Sequence, residues 1–126
     1  VAHIVIIEDD LQAARLVVKL LDQAGHLIET AQTGEEGLYK VLSHVPDLIL
    51  IDLGLPDLDG QTVISLMRQM PELSRTLMIA VTAWPSETAH KMAQAYGCDG
   101  VIIKPLNTRT FAQEIAGFLS STVSST

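Results

Sequence analysis

Apolar residues fall along this chain in two alternating patterns: short uninterrupted runs rich in Ile, Val and Leu, and longer stretches where they recur every three or four residues. The first pattern predicts strands buried on both faces, the second amphipathic helices packed over them. Residues 3–7 form one such run; residues 11–24 follow with helical spacing and stop at Gly25, a residue suited to a helix C-terminus. Residues 26–30 give a weaker second strand, after which Thr33, Gly34, Glu35 and Glu36 open a helix to residue 43 with a capping-box pattern. Residues 48–51 are the strongest strand signal, ended by Asp52, and a Gly-, Pro- and Asp-rich loop at 54–60 leads to a helix at 61–70 closed by Pro71. A fourth strand is predicted at 77–81, a fourth helix at 87–96 with Gly97 behind it, a fifth strand at 101–103, and a last helix at 108–119 capped by Asn107. Five strand–helix units with right-handed crossovers make an α/β doubly wound (βα)5 sandwich.

Four of the apolar runs end on polar residues: Glu8-Asp9-Asp10, Asp52, Thr82 and Lys104-Pro105. In a parallel sheet these endings share the carboxyl edge, where open α/β sheets place their ligands. Crowded carboxylates repel unless a cation lies among them, and hard oxygen ligands suit Mg²⁺. A lysine and a threonine beside such a metal suit a phosphoryl group. Asp10 reads instead as a helix cap, and Asp57 and Asp59 as turn residues whose carboxylates bond nearby backbone N–H groups. His3, His26, His44 and His90 have no metal-like spacing.

At 126 residues the chain is one domain, and with 48% hydrophobic but only 4% aromatic residues its core must be aliphatic. Eight basic against 15 acidic residues, a net charge of -7, argue against direct nucleic-acid binding, which needs clustered Lys and Arg. The single Cys98 cannot form an internal disulfide; it reads as a packing residue and fits a reducing cytosol. No apolar run approaches the ~20 residues of a membrane span, and no signal peptide opens the chain. A soluble, cytoplasmic protein is expected. The chain starts at Val1, so either a Met was removed or this is one module of a longer protein. Residues 1–119 are read as the domain and residues 120–126, rich in Ser and Thr, as a tail or linker.

The sequence resembles the receiver domain of two-component response regulators, the CheY-like, flavodoxin-like fold with a five-stranded parallel sheet in order 2-1-3-4-5. The resemblance covers residues 3–119 and is carried by Glu8-Asp9, by the segment from Asp52 to Gly60, by Val81-Thr82-Ala83 and by Lys104-Pro105. It implies that Asp52 is the phosphoacceptor, taking a phosphoryl group from a sensor histidine kinase or histidine phosphotransfer domain. It implies further that Glu8, Asp9, Asp52 and the carbonyl of Gly54 bind Mg²⁺, that Lys104 pairs with Asp52 and then the phosphoryl, and that Thr82 swings to read the modification. A cis peptide before Pro105 is implied too. Such a chain is a signalling switch that catalyses its own phosphorylation and dephosphorylation, not an enzyme acting on other substrates; homodimerisation is left open.

The chain departs from the family at Val101, where receivers usually carry a Tyr or Phe that rotates inward with the Thr. Trp84 is either an exposed loop aromatic or a partial substitute for that ring. Gly54 sets no side chain over the phosphoryl site, so ordinary or fast loss of the group is expected. On the first helix, Leu11, Ala14, Val17, Val18 and Leu21 form a stripe toward the sheet, while Ala13, Leu16 and Leu20 form a second flank. Ala13 and Leu16 either contact the histidine-bearing partner or widen the core contact. A flavin binder of similar architecture is disfavoured because Glu8-Asp9-Asp10 would repel a phosphate, and an aspartyl phosphohydrolase because Gly54 replaces the second acid of an Asp-x-Asp pair.

Overall fold

The computed structural model describes residues 1–124. Its strands follow the β-branched runs: β1 (His3–Ile7), β2 (Leu27–Ala31), β3 (Leu48–Asp52), β4 (Leu77–Thr82) and β5 (Gly100–Ile103), all parallel in the order β2-β1-β3-β4-β5. The helices are α1 (Leu11–Gln23), α2 (Gly34–Ser43), α3 (Gly60–Arg68), α4 (Ser86–Tyr96) and α5 (Phe111–Ser124), with one 3-10 turn at Pro71–Leu73. Doubly wound (βα)5 topology is therefore as the residue pattern predicts.

Alternation along the strands builds two separate cores. Ile4, Ile6, Leu48, Leu50, Ile79, Val81 and Ile102 pack with Val17 and Leu21 of α1 and with Phe111 and Ile115 of α5. Val5, Ile7, Ile49, Ile51, Met78 and Ala80 pack on the other face with Val41 of α2, Val63, Ile64 and Met67 of α3, and Met92 of α4. Each strand residue thus commits to one face, as expected for strands covered on both sides.

Several boundaries move for local reasons. α3 stops at Arg68 because Met70 is extended (φ -91°, ψ 117°) ahead of Pro71. α5 begins at Phe111, three residues later than predicted: the Asn107 side chain accepts from Arg109 N (3.0 Å) and its carbonyl from Thr110 N and Phe111 N, making a turn first. Residues 120–124 continue α5 as helix, while residues 125 and 126 of the expected tail lie outside the described residues. α4 ends as predicted at Gly97, whose φ of 93° suits glycine alone. On α1, Ala14, Val17 and Leu21 are buried, whereas Leu11, expected in that stripe, is exposed at the first helical residue, over a groove shared with Thr30.

Candidate functional site

Register brings the polar strand ends level. Ile7 pairs with Ile51, Asp52 with Val81, and Thr82 with Ile103, so Glu8, Asp52, Thr82 and Lys104 emerge within two residues of one another at the carboxyl edge. Glu8 N donates to Ala31 O at 2.9 Å, holding the chain against β2 as it leaves β1. Asp10 then caps α1, its Oδ1 accepting from Gln12 N (2.9 Å) and Ala13 N (3.2 Å), while its own N–H donates to Glu8 Oε2 at 3.3 Å. The helix start therefore orients the two acids before it.

The loop after Asp52 is pegged by buried Leu53 and Leu55 and closed by Gly60 N donating to Leu53 O at 3.0 Å. Gly60 is required by that closure: a Cβ there would lie 2.5 Å from Leu53 Cα and 2.6 Å from the Asp52 carbonyl oxygen. Asp57 bonds nearby backbone N–H groups, its own and that of Leu58, as its turn position suggests. Its carboxylate also reaches α2, accepting from Glu35 N (3.0 Å) and Gly34 N (2.8 Å), and these two bonds do most to lower its pKa. Asp59 takes the N-cap position of α3 without a side-chain cap bond.

Glu8, Asp9 and Asp52 each offer a carboxylate oxygen within 4.8 Å of the others. Lys104 Nζ lies 3.1 Å from Glu8 Oε1 and 3.6 Å from Asp52 Oδ1. Burial and the Asp52 carboxylate raise the Glu8 pKa to about 7, although the Lys104 bond works against them. For Lys104 burial alone would lower the pKa; the bonds and charges of Glu8 and Asp52 outweigh it and raise it. Three converging carboxylates whose most buried member resists ionisation make a set that one divalent cation would relieve, and all-oxygen donors fit Mg²⁺. Gly54 is exposed beside them, where an added Cβ would meet only Asp52 Oδ2, at 3.9 Å. Among the described residues no histidine joins such a group; His3 pairs with Glu29 (2.7 Å) and His90 Nδ1 lies 2.7 Å from Ser86 O.

Thr82 is buried, and its Oγ1 accepts from Trp84 N at 3.1 Å. Strand alternation turns Thr82 toward the α3/α4 side and Asp52 toward the α1/α5 side, so the hydroxyl faces its own loop here. Lys104 N donates to Thr82 O at 2.7 Å, and the Lys104–Pro105 peptide is cis. Trp84 is not an exposed loop aromatic: it is half-buried and packs, like Val101, against the α3/α4-side core. Cys98 packs there too, its thiol pKa pushed up to about 11 by burial.

Beside the acids runs an apolar groove lined by Ala13, Leu16, Val81, Ala83, Pro105 and Leu106, with Glu8 and Lys104 at its rim. Leu16 is exposed on it; Leu20, expected on the same flank, packs against the α1/α5 core instead. Pro105 and Leu106 were missing from the predicted partner flank, although an apolar residue directly after Lys-Pro in a loop was the available signal. A wider concavity, about 520 Å³, opens at the opposite sheet edge between Val1, Asp47 and Arg75, but none of the converging acids reaches it.

No helix among the described residues is long and apolar enough to cross a membrane. The family model of the response regulator receiver domain matches residues 4–116. Response regulator ArlR of Staphylococcus aureus is 34% identical over 118 residues, 93% of this chain but 52% of that protein, so the chain spans about half its relative's length. The chemotaxis response regulator CheY4 of Vibrio cholerae has a similar structure, with a TM-score of 0.88 and 25% identity over 93% of this chain and 98% of that one. A CheY-like receiver domain protein from Methanospirillum hungatei gives 0.88 and 27%, covering 98% of both chains. With the converging strand ends inside the matched span, the chain belongs to the response regulator receiver domain family.

Proposed function

We propose that Asp52 is the residue that accepts the phosphoryl group, from a phosphohistidine on a sensor histidine kinase or histidine phosphotransfer domain, in the cytoplasm. The observation that carries this reading is the position of Lys104 Nζ, 3.1 Å from Glu8 and 3.6 Å from Asp52, beside the acid cluster. A carboxylate nucleophile is ionised at neutral pH without a general base, so the site has mainly to position groups and neutralise charge. One Asp52 oxygen bonds to phosphorus as the P–N bond of the donor breaks. The electron pair of that bond stays on the imidazole nitrogen, which takes a proton from solvent.

Lys104 follows the charge onto the phosphoryl oxygens, and Thr82 turns its hydroxyl toward one of them. Glu8, Asp9, Asp52 and the Gly54 carbonyl would hold Mg²⁺, which when bound supplies charge neutralisation on the phosphoryl oxygens. Ala13 and Leu16 offer the apolar groove to the donor helix. Gly54 leaves water free access to the acyl phosphate, so the chain dephosphorylates itself at an ordinary or fast rate.

The test is transfer of labelled phosphate from a purified phosphohistidine donor. Label should appear on this chain and not on Asp52→Asn; equal labelling of both would remove Asp52 from the role.

A further inference from the structure

We propose that Asp57 is a positioning residue for the metal subsite: by tying the loop after Asp52 to the start of α2, it sets where the Gly54 carbonyl stands. The proposal rests on the Mg²⁺ reading above. The groups assigned to the metal come from separate segments, Glu8 and Asp9 after β1, Asp52 and Gly54 at the end of β3. Strand pairing fixes Asp52, the last residue of β3, against Val81. Gly54 has no such support. It lies beyond the strand, exposed, between the buried side chains of Leu53 and Leu55. Pegs of this kind hold the chain near a point but leave the peptide plane between them free to turn, and a carbonyl ligand needs its plane fixed.

Asp57 supplies the missing restraint. Among the described residues, its carboxylate is the one group of residues 54–58 hydrogen-bonded to another element, accepting from Gly34 N at 2.8 Å and Glu35 N at 3.0 Å. These are donors that a helix start leaves without an internal partner. Thr33, the N-cap of α2, takes only the next one, Glu36 N at 3.0 Å. The loop and α2 thus complete each other through charge-assisted bonds, and the fork of two fixes direction as well as distance.

α2 itself is seated beside the other ligands. Gly37 approaches Ile7 so closely that a Cβ there would collide with the Ile7 side chain, and Ile7 is the residue before Glu8. One line of contacts, from Ile7 to Gly37 and from the start of α2 to Asp57, joins the Glu8–Asp9 side of the set to the Gly54 side. Holding a ligand in place from outside the coordination sphere is the part that such partners play at metal sites.

Mg²⁺ alone is the probe. Its affinity for the full chain should be measured by calorimetry for wild type, Asp57→Ala and Thr33→Ala. Thr33→Ala removes the other cap bond of α2 and leaves the tie intact, so it carries a cost to the helix without an effect on the loop. The expected result is roughly tenfold or more weaker binding by Asp57→Ala, the scale of losing an outer partner of a ligand, and wild-type binding by Thr33→Ala. In phosphorylation by acetyl phosphate, Asp57→Ala should need correspondingly more Mg²⁺ for half its maximal rate and should still reach the wild-type maximum. Linkage supplies a measurement that needs no variant: Mg²⁺ should slow hydrogen exchange at the Gly34 and Glu35 amides of wild type and leave the Glu36 amide unchanged. Wild-type affinity in Asp57→Ala, equal weakening in both variants, or exchange at Gly34 and Glu35 indifferent to Mg²⁺ overturns the proposal. Absence of Mg²⁺ binding by wild type overturns the metal reading beneath it.

Discussion

Lys104 Nζ donates to Glu8 Oε1 at 3.1 Å, joining residues 96 positions apart in sequence across the carboxyl edge of the sheet. Glu8 is buried, and among the described residues Lys104 is its one cationic partner. Lys104→Ala leaves the acids uncompensated, but Glu8 can answer by keeping its proton. The expected loss of stability in metal-free protein is about 1–2 kcal/mol, less than the cost of breaking a fixed buried pair. Phosphorylation by acetyl phosphate should fall about 100-fold, the scale of losing one charge-stabilising donor. Urea unfolding and mass-resolved rates check the two effects separately.

The Glu8 pKa, raised from 4.5 to about 7, makes metal-free stability depend on pH. Between those values the folded chain holds a proton that the unfolded chain has released. The Glu8 contribution is therefore complete below 4.5 and is lost as pH rises through about 7. Unfolding in chelator at about pH 5 and about pH 8 should show wild type losing stability relative to Glu8→Gln over that interval. Mg²⁺ must displace the same proton, so its apparent affinity should climb to about pH 7 and then level. An affinity independent of pH across this range would contradict the assignment of Glu8 as a ligand.

Leu16 separates docking from chemistry. It is 40% exposed on the groove and outside the acid cluster, so Leu16→Asp should alter stability by no more than about 0.5 kcal/mol. Transfer from a phosphohistidine protein should slow at least about tenfold, since a charge placed in an apolar contact costs on the order of 1.4 kcal/mol or more. Acetyl phosphate does not use the groove, and its rate should stay at the wild-type value. Equal slowing with both donors would show that Leu16 only supports the fold.

Gly60 fixes the loop that follows Asp52. A methyl group there would meet backbone at 2.5 and 2.6 Å, contacts that no side-chain rotation relieves. Gly60→Ala should cost about 1–3 kcal/mol and displace Asp52 from its partners. Thermal unfolding and the phosphorylation rate should both fall, whereas an unchanged rate would show that the loop can move without the acid.

The parts of this molecule that were legible in the sequence are those written locally. The runs ending at Ile7, Ile51, Val81 and Ile103 show buried strands, and parallel pairing then forces Glu8, Asp52, Thr82 and Lys104 to one edge. Asp10 announces its cap because the N–H groups it accepts are two and three residues away. Asp57 does not announce its bonds to α2, because those partners lie 23 and 22 residues back and only tertiary packing brings them within reach. Leu20 and Trp84 were ambiguous for the same reason: helix periodicity places Leu20 on a flank without showing that it packs against the core on that face, and a loop position does not show that the indole folds back onto the core.

Whether Asp52 is the acceptor in a Mg²⁺-dependent site is decided by intact mass after incubation with acetyl phosphate. Wild type with Mg²⁺ should gain about 80 Da, one acid-labile phosphoryl group, and should gain nothing in chelator or as Asp52→Asn. The same gain in Asp52→Asn, or in wild type without Mg²⁺, would contradict that assignment.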